Sequence, residues 1–271
     1  MTSNQLFSFG KNWQKFIKLL DEDRIAQAEK SLLEFLDLKD FQDKSFLDIG
    51  CGSGLFSLAA YNLGAINIVS FDFDQYSVEC CNYLHAKVGK PDNWRIFSGS
   101  ILDDDFVHKL GAFDIVYSWG VLHCTGNMRQ SIINSSKPVK KGGLYYIAVY
   151  NKAQGILGSN FWLTIKKVYN YSPRLIKYLL EYLYMSANMV KQLFKLQNPV
   201  AYVNNYKLKR GMDWKIDVSD WLGGYPYEFA TAEEIEDFIR SNIPDFTLAK
   251  VKSTNGVGCN SFVYTRNNDS Q

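Results

Sequence analysis

Residues 46–54 read FLDIGCGSG, from Phe46 to Gly54, and the fold turns on this stretch. Phe46, Leu47 and Ile49 are apolar and strand-forming, in a run too short for a typical helix. Gly50, Gly52 and Gly54 follow, and residues 55–60 are mostly apolar and helix-compatible. A buried strand that feeds a glycine turn and then a helix is the opening half of a nucleotide-binding βαβ unit. Glycine suits such a turn because it takes positive φ and lets a ligand approach the backbone closely.

The neighbours of the turn choose the ligand. Its spacing is G-x-G-x-G, whereas the dinucleotide fingerprint is G-x-G-x-x-G. Asp48, at the strand end, would repel a pyrophosphate and attract a ligand that carries an ammonium and a sulfonium. S-adenosylmethionine is such a ligand, and an oxidoreductase that binds NAD is disfavoured on the same two details. FLDIGCGSG thus resembles the first motif of the class I S-adenosylmethionine-dependent methyltransferases.

The remaining chain reads as strands alternating with helices. Residues 11–38 show apolar residues at helical spacing. After the turn, a helix runs to about Leu63 with Gly64 as its stop. Strands are expected at 66–71, 94–97, 113–119 (FDIVYSW) and 144–150, with helices between them. Thr231 and Glu234 form a capping box that opens a last helix, and two further strands fall near 246–251 and 261–265. Such alternation predicts an α/β fold: a doubly wound, mostly parallel sheet. The resemblance makes it a seven-stranded, Rossmann-like sheet with an antiparallel C-terminal edge strand and a helical lid insertion. The expected divisions are N-terminal helices over the cofactor site (1–40), the core (41–150 and 221–271), and a lid and substrate insertion (151–220).

Composition bounds the class. The chain has 271 residues, 46% of them hydrophobic and 21% charged, with a formal charge of +2. These values are those of a soluble globular protein with a substantial core. No apolar run reaches transmembrane length, and the N-terminus lacks a signal-peptide core. Five cysteines (Cys51, Cys80, Cys81, Cys124, Cys259) lack zinc-type spacing. Reduced thiols, a cytoplasmic location and no metal site are the expectation. Cys81 and His85 share a helix face at i, i+4, but two ligands do not make a metal site. Charge is unevenly spread: residues 151–210 hold ten Lys or Arg against one acid, Glu181, and ten aromatics. That segment is net +9, which leaves 2 − 9 = −7 for the rest.

In doubly wound sheets, ligands lie beyond the carboxyl ends of the strands. The first strand places Asp48, Gly50, Cys51, Gly52 and Gly54 there. The second brings Asp72, a carboxylate suited to both ribose hydroxyls, with Asp74 a weaker candidate and a helix N-cap the alternative role. Phe73 and Ile101 are placed to sandwich an adenine, or simply to pack the core. Ser100 stands where the resemblance implies an acidic residue that meets the adenine amino group, which is a departure. The fourth strand runs into YSWGVLHCTGNM (Tyr117–Met128). This resembles a WGVLHHTG-type motif in a bacterial subgroup of the class I methyltransferases, with Cys124 in place of the second histidine. FSFGKNW at the start, GGYPYEF (Gly223–Phe229) and NGVGCNSFV (Asn255–Val263) extend that resemblance along nearly the whole chain. Trp119 joins the expected cofactor residues.

The resemblance implies an enzyme that uses S-adenosylmethionine, releases S-adenosylhomocysteine, and methylates a small-molecule acceptor by in-line displacement. Most of the acceleration in such a displacement comes from holding the acceptor in near-attack geometry. An oxygen of a hydroxylated or anionic metabolite or glycan precursor gains from a general base at neutral pH, and His123 is the best-placed histidine. The alternative for His123 is to orient its loop. The basic insertion, with Lys166, Lys167 and Arg174, is read as a solvated face or as steering for an anion. Peripheral membrane contact and RNA are further readings; nucleic acid ranks low because no RNA-binding module is evident. The rival of a different class is a non-catalytic partner subunit that binds adenosylmethionine.

Overall fold

The computed structural model describes residues 7–204, 206 and 214–268. Its centre is a seven-stranded sheet: β1 (Ser45–Ile49), β2 (Asn67–Asp72), β3 (Trp94–Ser98), β4 (Phe113–Trp119), β5 (Val139–Tyr150), β6 (Phe246–Lys252) and β7 (Cys259–Arg266). The strand order is β3-β2-β1-β4-β5-β7-β6. β1 pairs in parallel with β2 and β4, and the chain reverses its direction of winding between those two neighbours. β7 runs antiparallel between β5 and β6, so the C-terminal hairpin closes this side of the sheet with β6 outermost.

Every residue of β1 is buried, as expected of a strand covered on both faces. Side chains alternate between two cores. Phe46, Ile68, Ile115, Tyr117, Tyr146 and Val263 face helices Glu22–Leu36, Leu55–Asn62 and Gln75–Lys87. Leu47, Val69, Val116, Tyr145 and Phe262 face helices Met128–Ser136 and Ala232–Asn242 on the other side. The Thr231–Glu234 capping box forms in full, and Gly64 ends its helix at φ +92°.

Two expectations change in detail. The N-terminal helical stretch is broken: Gly10–Phe16 and Glu22–Leu36 are separate helices, because Leu20 is extended and the Asp21 carboxylate caps the second by accepting from Arg24 N–H. β5 begins at Val139, ahead of Leu144, because the pairing with β4 slips between Phe113 and Ile115 and accommodates the intervening residues.

Residues 151–223 hold helices Ser159–Tyr171, Arg174–Phe194, Pro199–Asn204 and Trp214–Gly223. Tyr169, Trp214, Val218 and Leu222 form a small core of their own, with Trp162, Ile165 and Trp221 packed on it. The helix Ser159–Tyr171 reaches back to the carboxyl end of β5, where Lys166 meets Tyr150. Among the described residues no helix is long and apolar enough to cross a membrane.

Candidate active site

The glycine turn lies at the carboxyl end of β1, beside the switch in winding. Gly50, Gly52 and Gly54 have φ of +71°, +54° and +80°, a region that costs any residue with a Cβ. Their lack of side chains also admits three separate neighbours. A Cβ on Gly50 would lie 2.5 Å from Val121 Cγ2, one on Gly52 3.0 Å from Trp13 Nε1, and one on Gly54 2.8 Å from Cys81 Cα. Gly50 N–H and Cys51 N–H both donate to the Phe71 carbonyl, at 2.8 and 3.0 Å, which folds the turn against the end of β2.

Asp48 sits beneath the turn, 2% exposed. Its Oδ2 accepts from Ser57 Oγ at 2.5 Å, Ser57 accepts from Ser70 at 2.7 Å, and Ser70 accepts from Trp94 Nε1 at 2.9 Å. Burial pushes the Asp48 carboxyl up to about 7, opposed by the Ser57 bond and reinforced by Asp72. The half-buried Asp72 accepts Gly52 N–H on Oδ2 at 2.9 Å and Asp74 N–H on Oδ1 at 2.8 Å. Burial pushes it up to about 6. Two carboxyls held near neutrality beside one turn are poised for a cation, which would favour their ionised forms. A pyrophosphate would do the opposite.

Asp74, and not Asp72, is the helix cap. Its Oδ1 accepts from Tyr76 N–H at 3.0 Å, and its Oδ2 accepts from Ser8 Oγ at 2.8 Å and Gly10 N–H at 3.0 Å. The N-terminal segment is thereby pinned beside the turn, with Trp13 against Gly52.

Phe73 (57% exposed) and Trp119 (49%) stand uncovered at the ends of β2 and β4. Ile101 is buried in the core that contains Leu47 and Val69, so Phe73 is the member of the expected adenine pair that faces solvent. Ser100 Oγ accepts from Leu102 N–H at 3.2 Å, and the preceding Gly99 N–H donates to the Asp72 carbonyl at 3.0 Å. Cys51 points inward, toward Cys81, and the hydrogen bond with Cys81, together with burial, drives its thiol pKa upward. Among the described residues no three His, Cys, Asp or Glu side chains gather as a metal site.

His123 lies in the short turn Leu122–Cys124, 0% exposed. Its Nδ1 accepts from Tyr150 N–H at 3.2 Å, so the ring proton resides on Nε2. The ring lies against that of Tyr150, tilted by 46° with 3.9 Å between centroids, and the His123 carbonyl accepts from Glu228 N–H at 3.0 Å. Burial, aided by the Lys166 charge, pushes the imidazole down to about 3. The expected general base therefore has its one lone pair engaged, and Nε2 is a donor. Lys166, expected on a solvated face, is fully buried instead. It lies four residues after Trp162 and three before Tyr169, on the face of the helix that packs inward.

Sequence reading missed Ser57, Ser70, Trp13 and Val121. The two serines carried a signal, each being a polar residue at a core position of an apolar segment. Nothing local pointed to Trp13 or Val121, whose parts arise from tertiary contacts.

A model of the family described as ribosomal protein L11 methyltransferase matches residues 28–137, which run from the helix before β1 to the start of β5. The ribosomal protein L11 methyltransferase of Shewanella sediminis is 37% identical over 65 residues, which are 24% of this chain and 22% of that protein. The chain thus aligns with about a fifth of that relative's length. The ubiquinone biosynthesis O-methyltransferase of Pelagibacter ubique is 27% identical over 198 residues, 68% of this chain and 75% of that one. Among solved structures, magnesium protoporphyrin IX methyltransferase from Synechocystis PCC 6803 with bound S-adenosylhomocysteine aligns with a TM-score of 0.52 at 12% identity, over 89% of this chain and 83% of that one. The fold is that of the class I S-adenosylmethionine-dependent methyltransferases. The part of the chain that carries the sequence match is the part that builds the glycine turn.

Proposed function

We propose that the protein is an S-adenosylmethionine-dependent methyltransferase acting on an oxygen of a small hydroxylated or anionic molecule. The observation that carries this reading is the three-glycine turn, closed by Asp72 on Gly52 N–H and backed by buried Asp48 at the carboxyl end of β1. These residues fit the cofactor. The turn admits close approach, the paired carboxyls suit its cationic methionine end and ribose, and exposed Phe73 and Trp119 offer apolar surface to its adenine.

When bound beside Asp48, Asp72 and the glycine turn, the cofactor would supply an electrophilic methyl group to an acceptor oxygen that arrives as its anion, its carbon–sulfur bond being exchanged for the new carbon–oxygen bond. The protein's part is to hold the acceptor in line and exclude water. Residues 151–223 act as a lid on the acceptor side, since the first of their helices docks at the end of β5. Exposed Lys167 and Arg174 steer anions toward it. The small-molecule reading is favoured over a ribosomal protein acceptor by the extent of the matches. The ubiquinone-type relative aligns over 198 residues, the L11-type relatives over 65 to 112.

Calorimetric titration with S-adenosylhomocysteine and NAD tests the cofactor. The former is expected to bind and the latter not; tighter NAD binding would reject the reading. A screen of hydroxylated and anionic acceptors for adenosylhomocysteine production tests the transfer.

A further inference from the structure

Beyond the ends of β4 and β5 lies a side-chain cluster that the cofactor site does not use. Lys166 is 0% exposed. Its Nζ donates to the Trp221 carbonyl and lies 4.2 Å from the Trp221 ring centroid, 4.8 Å from that of Tyr227 and 5.9 Å from that of Tyr150. Among the described residues it forms no ion pair. The nearby carboxyl of Asp220 is held by Asn12 Nδ2 at 2.6 Å. Burial lowers the ammonium pKa to about 8.

Three more polar atoms of the same cluster are buried with no hydrogen-bond partner among the described residues: His123 Nε2, Trp221 Nε1 and the Tyr227 hydroxyl. The Tyr227 hydroxyl also approaches the Ser159 hydroxyl, which donates to the Asn151 carbonyl and accepts from Ala153 N–H, each at 2.9 Å, and keeps one further lone pair. Tyr150 connects the group: its ring lies 3.9 Å from that of His123, 4.9 Å from that of Tyr227 and 5.9 Å from that of Trp221.

Buried polar groups are nearly always paired, and each orphan is destabilising. Here an ammonium, an imidazole N–H, an indole N–H and a phenol gather within aromatic walls. Their shared deficiency is a hydrogen-bond acceptor with negative charge. We infer that Lys166, His123, Trp221 and Tyr227 form the acceptor subsite, which takes a small planar molecule by one anionic oxygen group, a carboxylate or a phenolate. As an acceptor site it rests on the methyltransferase reading; as an anion site it stands on these contacts. His123 then donates to the acceptor from Nε2 while Tyr150 N–H fixes its tautomer.

The test uses the full chain saturated with S-adenosylhomocysteine, with benzoate, 4-nitrophenolate and neutral benzamide as probes, read by tryptophan fluorescence and thermal shift. At least one of the two anions is expected to bind and benzamide not, and which anion binds separates carboxylate from phenolate. Lys166→Met should weaken the anion about tenfold or more while adenosylhomocysteine affinity stays unchanged, and Lys166→Arg should restore part of the loss. Should Lys166→Met fail to fold, Tyr227→Phe and Trp221→Phe each remove one donor and should weaken the anion severalfold. Adenosylhomocysteine binding without any anion binding, or anion binding indifferent to these substitutions, would overturn the subsite and leave the cofactor reading intact. Failure to bind adenosylhomocysteine would strike the underlying reading instead.

Discussion

Placing one methyl group on Gly50 tests whether the glycine turn is built against the loop after β4. Gly50→Ala meets two obstacles. The residue has φ +71°, which costs an alanine about 1–2 kcal/mol. Its new Cβ would also lie 2.5 Å from Val121 Cγ2 and 3.0 Å from Val121 Cβ, and overpacking of this kind costs about 1–3 kcal/mol. The variant should therefore lose about 2–5 kcal/mol in urea unfolding, the sum of those two ranges. Val121→Ala removes both Cγ atoms but leaves the Cβ and the backbone angle untouched. In that background Gly50→Ala should cost closer to about 1–2 kcal/mol, because the two Cγ clashes are gone while the 3.0 Å approach to Val121 Cβ and the backbone part remain. The cycle thus has a coupling of about 1–3 kcal/mol. Unfolding midpoints of the four proteins, measured with one m-value, decide it. Costs that add to within about 0.5 kcal/mol would refute the contact, and with it the claim that the YSWGVL segment backs the turn.

Other outcomes follow from the same contacts. Asp72→Ala strands the Gly52 and Asp74 N–H donors and should weaken adenosylhomocysteine binding by about 1.5–3 kcal/mol, the scale for hydrogen bonds to a charged group; calorimetry that finds unchanged affinity removes Asp72 from the site. Asp48 and Asp72 are raised to about 7 and about 6, so between the usual carboxylate range and those values the folded state holds protons that the unfolded chain has released. Their contribution to stability is therefore lost as pH rises toward 7, with a slope of about 1.4 kcal/mol per pH unit for each group, and Asp48→Asn should remove one such slope from the unfolding curves. His123 titrates in the opposite sense: lowered to about 3, it favours the fold above its ordinary value and withdraws that support as pH falls from about 6.5 toward 3. His123→Ala leaves buried Tyr150 N–H without its acceptor and should cost about 1–3 kcal/mol of stability, a loss that a purely catalytic residue would not produce. If Lys167 and Arg174 steer the acceptor, kcat/KM should fall as salt rises through about 0.15 M; salt-independent kinetics would reject steering.

The strands and the glycine turn were legible because local chemistry fixes them. FLDIG announces a strand covered on both faces, and Phe113–Trp119 appears over the residues that the pattern marks. The capping box is likewise a local signal. The candidate site was legible only as far as single residues carry it. Asp72 could be named, but its bond to Gly52 N–H requires two strand ends that are adjacent only in the folded sheet. His123 shows the limit most clearly. A histidine after β4 suggested a base, yet its tautomer is set by the amide of Tyr150, 27 residues further on. Lys166 was misplaced because its basic surroundings suggested a solvated face, whereas its spacing from Trp162 and Tyr169 already put it on the packed one.

The N-terminal strap has a consequence for how the molecule is made. Ser8 and Gly10 bind Asp74 within the first half of the chain, but Phe7 N–H also donates to the Tyr225 carbonyl at 3.2 Å. Asn12 likewise reaches Asp220, 208 residues away. At a synthesis rate of about 5–20 residues per second, the strap waits about 10–40 s for those later partners to emerge. The glycine turn and its carboxylates need only residues made earlier, so the cofactor half can assemble on the ribosome while the other wall is still unmade. Closure of the acceptor side is the long-range, slow contact of the fold. A nascent chain arrested before residue 220 should thus carry a formed glycine turn beside a strap held by Asp74 through Ser8 and Gly10, with Phe7 and Asn12 on either side still awaiting their partners.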